Sequence, residues 1–259
     1  MTSSHLLGSD ALLRRWYANI DAVIDARNRS VAMVVRVVPG PRAESFGTGF
    51  FYSKDGWPFF ITARHVIDDA CSSIQRGEGA FLMVRGRKDV INLSKAEFFC
   101  STDWDVAVMP LWKNGITNCS HIECLTSAEV DMRPEVCLFA FTGFPASKNK
   151  TYTNQEIKPN QRVMTFPAHD LESSVQAFPF LTFPMDRKKL HDSALKHTNL
   201  KFPQGLAGMS GGPVFAIRGG IDHPTMALFA MGVAWQNGSS LKALRFDLVD
   251  AWLSQYFTW

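Results

Sequence analysis

Near the start of the chain, Leu12, Leu13, Trp16, Ile20, Val23 and Ile24 recur at spacings of three and four. One apolar stripe at that period predicts a helix over 11–27, with Asp10 as its cap, laid across the outside of whatever core follows. The period then changes. Short apolar runs at 31–38, 46–52 and 57–63 read as strands, and Asp55-Gly56 between the last two is a tight-hairpin signal because both residues tolerate positive φ. A short helical turn is expected over 65–70. Further strands are expected at 81–84, 90–99 and 105–109, then a connection over 112–133 and a strand at 136–144. The polar segment 147–161 reads as a hairpin or exposed loop. The run 175–183 carries Pro179, which suits an edge or a bend, and 185–198 is a polar, basic loop. Strands at 213–217 and 226–235, separated by a turn at Gly219-Gly220, precede a closing helix over 246–256. The pattern is that of an all-β protein with a helix at each end. There is no internal repeat.

Composition narrows the function classes. At 259 residues, 46% of them hydrophobic and 20% charged, the chain can fill one large or two small cores. A net charge of +3 is too small to argue for nucleic acid, and Arg187-Lys188-Lys189, the densest basic run, is explained by a solvated loop. No apolar stretch reaches the length of a membrane span. The first residues show no apolar core ending in a small-residue cleavage site, so no export signal and no membrane partner are expected.

The candidate chemistry lies in Gly205-Leu206-Ala207-Gly208-Met209-Ser210-Gly211-Gly212-Pro213. Glycines on both sides of Ser210 let the backbone turn sharply and let consecutive N–H groups face one spot, as an oxyanion hole requires. A glycine-rich turn between strands has the same composition. A serine nucleophile also needs a base and an acid to orient that base. Upstream, Thr62-Ala63-Arg64-His65-Val66 sets a histidine at the end of a strand, and Asp105-Val106-Ala107-Val108 opens another strand with an acid. On an alternating strand, Asp103 shares a face with Asp105, so both acids remain candidates on that ground. The G-x-S-x-G spacing also fits the elbow of α/β-hydrolase esterases. That fold needs a helix straight after the serine, with the acid and the histidine following it in the chain. Here Pro213 and a β-type run follow, and His223 is the one later histidine. A peptide-binding module with a silent site is the non-enzymatic alternative. Cys119, His121, Cys124 and Cys137 do not have a familiar zinc spacing, and neither metal nor cofactor is expected.

In that order, T-A-x-H, D-V-A-V and G-x-S-G-G-P resemble the trypsin-like (chymotrypsin-fold) serine peptidases, over roughly 31–252. The resemblance implies two six-stranded antiparallel β-barrels. They would be preceded by a helical segment at 1–30, with His65 and Asp105 in a first barrel at 31–128 and Ser210 in a second at 129–259. It selects Asp105 over Asp103, and it implies a His65–Asp105–Ser210 triad with the backbone N–H groups of Gly208 and Ser210 as the oxyanion hole. Gln204, Gly205 and Leu206, with Ala234, Trp235 and Gln236 on the strand that would pair with a peptide, become the substrate-binding residues. Gln204 replaces the acid that selects basic side chains, and Gln236 stands where glycine usually keeps the pocket open, so an uncharged, modest-sized residue is expected before the cut. Secreted members often carry cysteines where Val66 and Leu206 stand here. With those bridges missing, and five cysteines in all, a cytoplasmic setting is expected. Trypsin-type zymogens are switched on when a new N-terminus pairs with an aspartate immediately before the serine. Met209 cannot serve, so control is expected from ordering of the loop 201–209 by substrate, a neighbouring segment or a regulatory protein partner.

Overall fold

In the computed structural model, the described residues are 4–38, 42–84, 90–116, 122–133, 135–152, 159–168, 178–184, 191–192, 206–236 and 240–257. Helix α1 (Ser4–Arg27) leads into β1 (Val31–Val38), β2 (Arg42–Lys54) and β3 (Trp57–Thr62), then α2 (Arg64–Gln75). β4 (Gly79–Val84), β5 (Val90–Asn92), β6 (Phe99–Cys100), β7 (Ala107–Pro110) and β8 (Leu125–Thr126) complete the first half. The second half holds β9 (Leu138–Gly143), β10 (Lys150–Tyr152), β11 (Arg162–Pro167), β12 (Phe180–Pro184), β13 (His191–Asp192), β14 (Pro213–Arg218), β15 (Thr225–Gln236), β16 (Ser240–Arg245) and α3 (Phe246–Tyr256).

The strands form two sheets. The first runs β5-β4-β1-β2-β3-β7-β6, with β8 and β10 added along β2, and the second runs β12-β16-β15-β14-β9-β11-β13. Among the described residues, pairing is antiparallel except for the short β2–β8 contact and an isolated parallel bridge between Val130 and Leu228. The two antiparallel units expected from the sequence are therefore present. The strands beyond six in each sheet include pieces of only two or three residues, such as β8, β10 and β13. After β9 the chain returns to the first sheet, since β10 pairs with β2.

Apolar packing joins the sheets. Val31, Phe50, Phe59 and Val106 of the first half share one buried cluster with Phe215, Leu228 and Leu244 of the second and with Trp252 and Leu253 of α3. Ile20 and Ile24 bring α1 into the same cluster, and Asn19 Nδ2 donates to Ile221 O at 2.8 Å. Burial of such side chains contributes about 1.5–3 kcal/mol each, which fixes the faces that carry the site.

Several elements depart from expectation for local reasons. The strand expected over 90–99 is broken into β5 and β6. Asn92 Oδ1 accepts the Ser94 backbone N–H at 2.9 Å, an Asx turn that takes the chain out of the ladder. Asp103 and Asp105 do not lie on a strand. Ser101 Oγ accepts the N–H groups of Asp103 and Trp104, both at 3.2 Å, so the chain turns there and β7 starts at Ala107. The helical turn expected at 65–70 is the longer α2. Strands β11 and β16 were not foreseen, because each is six residues long and includes polar residues, Arg162 in one and Ser240, Lys242 and Arg245 in the other.

Candidate active site

His65 is the second residue of α2, directly after the strand β3, whose buried Phe59, Phe60 and Ile61 anchor it in the core. The loop before β7 brings Asp105 against it. Asp105 Oδ1 accepts the His65 backbone N–H at 3.0 Å, and Oδ2 lies 2.7 Å from His65 Nδ1. Nδ1 therefore carries the proton and donates it, leaving Nε2 as the acceptor. The hydrogen bond to Asp105 is the main force raising the His65 pKa above 6.5; partial burial opposes it, and the charges of Asp105, Asp69 and Asp68 reinforce it. Burial would raise the Asp105 pKa, but the bonds from the His65 side chain and backbone outweigh it, and the carboxyl is held below its ordinary value. Asp103 is exposed, and its carboxylate takes a 3.3 Å hydrogen bond from Thr102 Oγ1. Of the two acids, Asp105 is the one at the histidine.

Ser210 arrives from the other sheet on the turn before β14. The Thr48 N–H donates to Ser210 O at 2.9 Å, and Gly211 is held between its N–H bond to Gly232 O at 2.7 Å and the first sheet. Gly211 has φ +86°, and a Cβ added there would lie 2.1 Å from Thr48 O, 2.2 Å from Thr62 Oγ1 and 2.9 Å from Ala63 N. Ser210 is the residue before Gly211, and His65 lies two positions after Ala63, so this contact brings the backbone of the serine loop against the segment that leads into the histidine. Among the described residues no hydrogen bond joins Ser210 to His65. Replacing Gly211 with Ala is expected to cost about 2 kcal/mol or more, lowering Tm by about 4–8 °C, since strain at positive φ and a backbone clash add. A thermal scan checks it.

The N–H groups of residues 208–212 divide into two sets. Met209 N–H donates to Leu206 O at 2.9 Å, Gly211 N–H to Gly232 O at 2.7 Å and Gly212 N–H to Met209 O at 3.0 Å. Those of Gly208 and Ser210 have no acceptor among the described residues. These two are the pair that the resemblance led us to expect at an oxyanion.

The remaining predicted positions fall around this loop. Leu206 is buried, and Met209 is wholly buried in an apolar cluster with Leu206, Phe141 and Leu241. Ala234 and Trp235 are half-buried on β15, which also ends in Gln236. β15 pairs with β14 up to Met231 and with β16 up to Gln236, so beyond Gly232 one edge has no paired strand among the described residues. Gln204 and Gly205, like most of the loop 201–209, lie outside the described residues, as do Cys119 and His121. Among the described residues Cys71, Cys100, Cys124 and Cys137 form no disulfide, no group of side chains is arranged to hold a metal ion, and no helix is long and apolar enough to cross a membrane.

Thr48 was not singled out from the sequence. It is fully buried; Oγ1 donates to Gly208 O at 2.7 Å and accepts the Phe144 N–H at 2.9 Å. The signal was Gly47-Thr48-Gly49 inside a strand, where glycines mark a close backbone approach. Cβ atoms there would strike Val66 and Phe60.

No protein-family model matches the sequence, and no curated protein does so. Among solved structures, the chain is similar to the inactive form of the Rv3671c protease (14% identity, TM-score 0.49, covering 92% of this chain and 94% of that one); a related structure of it is from M. tuberculosis H37Rv. It is also similar to AL20, a thermostable serine protease from an extremophilic microorganism (14% identity, TM-score 0.48, 89% and 99% covered). The MamO protease domain of Magnetospirillum magneticum is a third (11% identity, TM-score 0.49, 88% and 97% covered). These are likenesses of fold alone. The chain's own topology is two antiparallel β-units with α1 at its start and α3 at its end, the chymotrypsin-like fold class expected from the sequence.

Proposed function

We propose that the chain is a serine endopeptidase that cleaves peptide bonds through an acyl-enzyme. The observation that carries this reading is the loop at Ser210. Its N–H groups at Gly208 and Ser210 have no acceptor among the described residues. Gly211, the residue after the serine, packs against Thr48, Thr62 and Ala63, the last of these two positions before a histidine whose Nδ1 is bonded to Asp105.

In the proposed reaction, Ser210 Oγ attacks the scissile carbonyl carbon as His65 Nε2 takes its proton. The C=O π electrons move to the oxygen, which the Gly208 and Ser210 N–H groups receive. Such donors act on charge that develops only in the transition state, and each is typically worth on the order of 10²–10³ in rate. The C–N bond then breaks, its electron pair going to nitrogen, which takes the proton from His65. Water attacks the acyl-enzyme by the same route, with His65 again as base, and Ser210 is restored. Asp105 holds the Nδ1–H tautomer and stabilises the imidazolium. The open edge of β15 beyond Gly232 suits an extended peptide, since antiparallel main-chain pairing would hold the substrate whatever its sequence.

A fluorophosphonate probe tests the reading, because it labels an activated serine. The full chain should label at Ser210, located by mass spectrometry, and absence of labelling would refute the proposal. The pH profile is a second test. His65 must be neutral to act, so the labelling rate should be high at alkaline pH and fall as pH drops through a midpoint above 6.5, the ordinary histidine value from which Asp105 raises it. Asp105→Asn should move that midpoint down. A midpoint that stays put would show that the pair seen here does not govern the titration.

A further inference from the structure

We propose that Thr48 is a positioning residue whose hydroxyl locks the oxyanion loop in its working conformation, an inference that rests on reading Ser210 as the nucleophile. The argument starts from peptide planarity. In a trans peptide unit the C=O and N–H point opposite ways, so pinning the oxygen aims the hydrogen. The unit that carries the Gly208 N–H is pinned by Ala146 N–H on Ala207 O at 2.7 Å. Gly212 N–H on Met209 O, at 3.0 Å, pins the unit that carries the Ser210 N–H. Between them lies the Gly208–Met209 unit. Its N–H donates to Leu206 O, and its oxygen accepts Thr48 Oγ1 at 2.7 Å.

That middle unit is the weak point. Gly208 sits at φ +88°, and glycine moves between backbone wells at little cost. A rotation of the Gly208–Met209 unit changes ψ at Gly208 and φ at Met209, so it would strain both flanking units and disturb the shared aim of the N–H groups they carry. Thr48 opposes it from a site with no freedom of its own. Its backbone N–H bonds to Ser210 O at 2.9 Å, its oxygen accepts Thr62 Oγ1 at 2.6 Å, and Oγ1 accepts the Phe144 N–H at 2.9 Å. One residue of the first sheet thus grips the loop of the second on both sides of Met209. The other pins on the three peptide units are backbone groups, so the hydroxyl is the one a substitution can remove.

Thr48→Val keeps the shape and deletes the hydroxyl; Thr48→Ser keeps it. With a peptide substrate, kcat of Thr48→Val should fall about 10- to 100-fold, part of what loss of a whole oxyanion donor costs. KM should stay within about threefold, because the donors act in the transition state. Thr48→Ser should stay near wild type. Amide hydrogen exchange over 206–212 should quicken about tenfold in Thr48→Val and not in Thr48→Ser, a readout that needs no activity. If Thr48→Val does not fold, Thr48→Ala takes its place under the same readouts. The proposal is overturned by unchanged kcat and exchange in the valine variant, by an equal loss in the serine variant, or by a kcat loss that only follows the folded fraction. Failure of the wild type to label with fluorophosphonate would sink the peptidase reading and the catalytic consequence together. The exchange arm would still decide whether Thr48 orders the loop.

Discussion

Ser210→Ala should end acyl-enzyme formation while leaving the protein folded. The expected drop in turnover is on the order of 10⁶-fold, the scale seen when the nucleophile of such a unit is removed. A residual rate above water remains because the oxyanion donors and peptide binding survive the change. The fold should not suffer. Ser210 Oγ makes no hydrogen bond among the described residues, and the loop is held by backbone groups, with Ser210 O bonded to Thr48 N–H and Gly211 N–H to Gly232 O. A change in stability of no more than about 0.5 kcal/mol is expected, as for a surface substitution. Fluorophosphonate labelling and peptide turnover read the first effect, and a denaturant titration reads the second. Turnover that survives in the alanine variant would remove Ser210 from the chemistry. Loss of both folding and activity would show that the loop depends on the hydroxyl after all.

Asp105→Asn is expected to lower turnover by about 10⁴-fold, the magnitude known for the equivalent change in chymotrypsin-type enzymes. The geometry supplies the reason. Asp105 uses both oxygens, Oδ1 for the His65 backbone N–H and Oδ2 for the ring. Asparagine has one oxygen to offer. The backbone N–H is a fixed donor and must be satisfied, so the amide oxygen goes to it and the NH₂ group turns to the ring. Nδ1 is then forced to accept, the proton moves to Nε2, and the base that should receive the serine proton is lost. Asp103→Asn is the control. That carboxylate takes a hydrogen bond from Thr102 Oγ1 and stands exposed, so turnover should change by no more than about twofold. Steady-state kinetics on the two variants settles the matter. A crippled Asp103→Asn beside a mild Asp105→Asn would reverse the assignment.

Much of this was legible from local chemistry. The hairpin at Asp55-Gly56 has φ of 51° and 83°, as its residue types foretold. β1 and α3 have the bounds that their apolar patterns gave. Pro179 and Pro184 border or end β12, which lies at the edge of its sheet where a missing N–H does least harm. The strands β11 and β16 were not legible, because runs of six residues with polar Arg162, Ser240, Lys242 and Arg245 among them are weak evidence until a neighbouring strand supplies the other half of the ladder. The choice between Asp103 and Asp105 was also beyond periodicity, which placed both on one strand face. The decision came from Ser101, whose hydroxyl turns the chain and leaves only Asp105 against α2.

By itself the sequence determined what depends on neighbours along the chain. It set which residues turn, which runs alternate, where glycines permit a sharp loop, and that a serine, a histidine and an acid occur in a particular order. Only the tertiary structure decided that Thr48 grips that loop. It also supplied the contacts behind two readings that had rested on resemblance: Asp105 lies against the histidine, and the Gly208 and Ser210 N–H groups have no acceptor among the described residues. The reason is physical. Propensity and pattern act within a few residues, whereas a hydrogen bond between Thr48 and Gly208 spans 160 positions and exists only because burial of the shared apolar cluster presses the two sheets together.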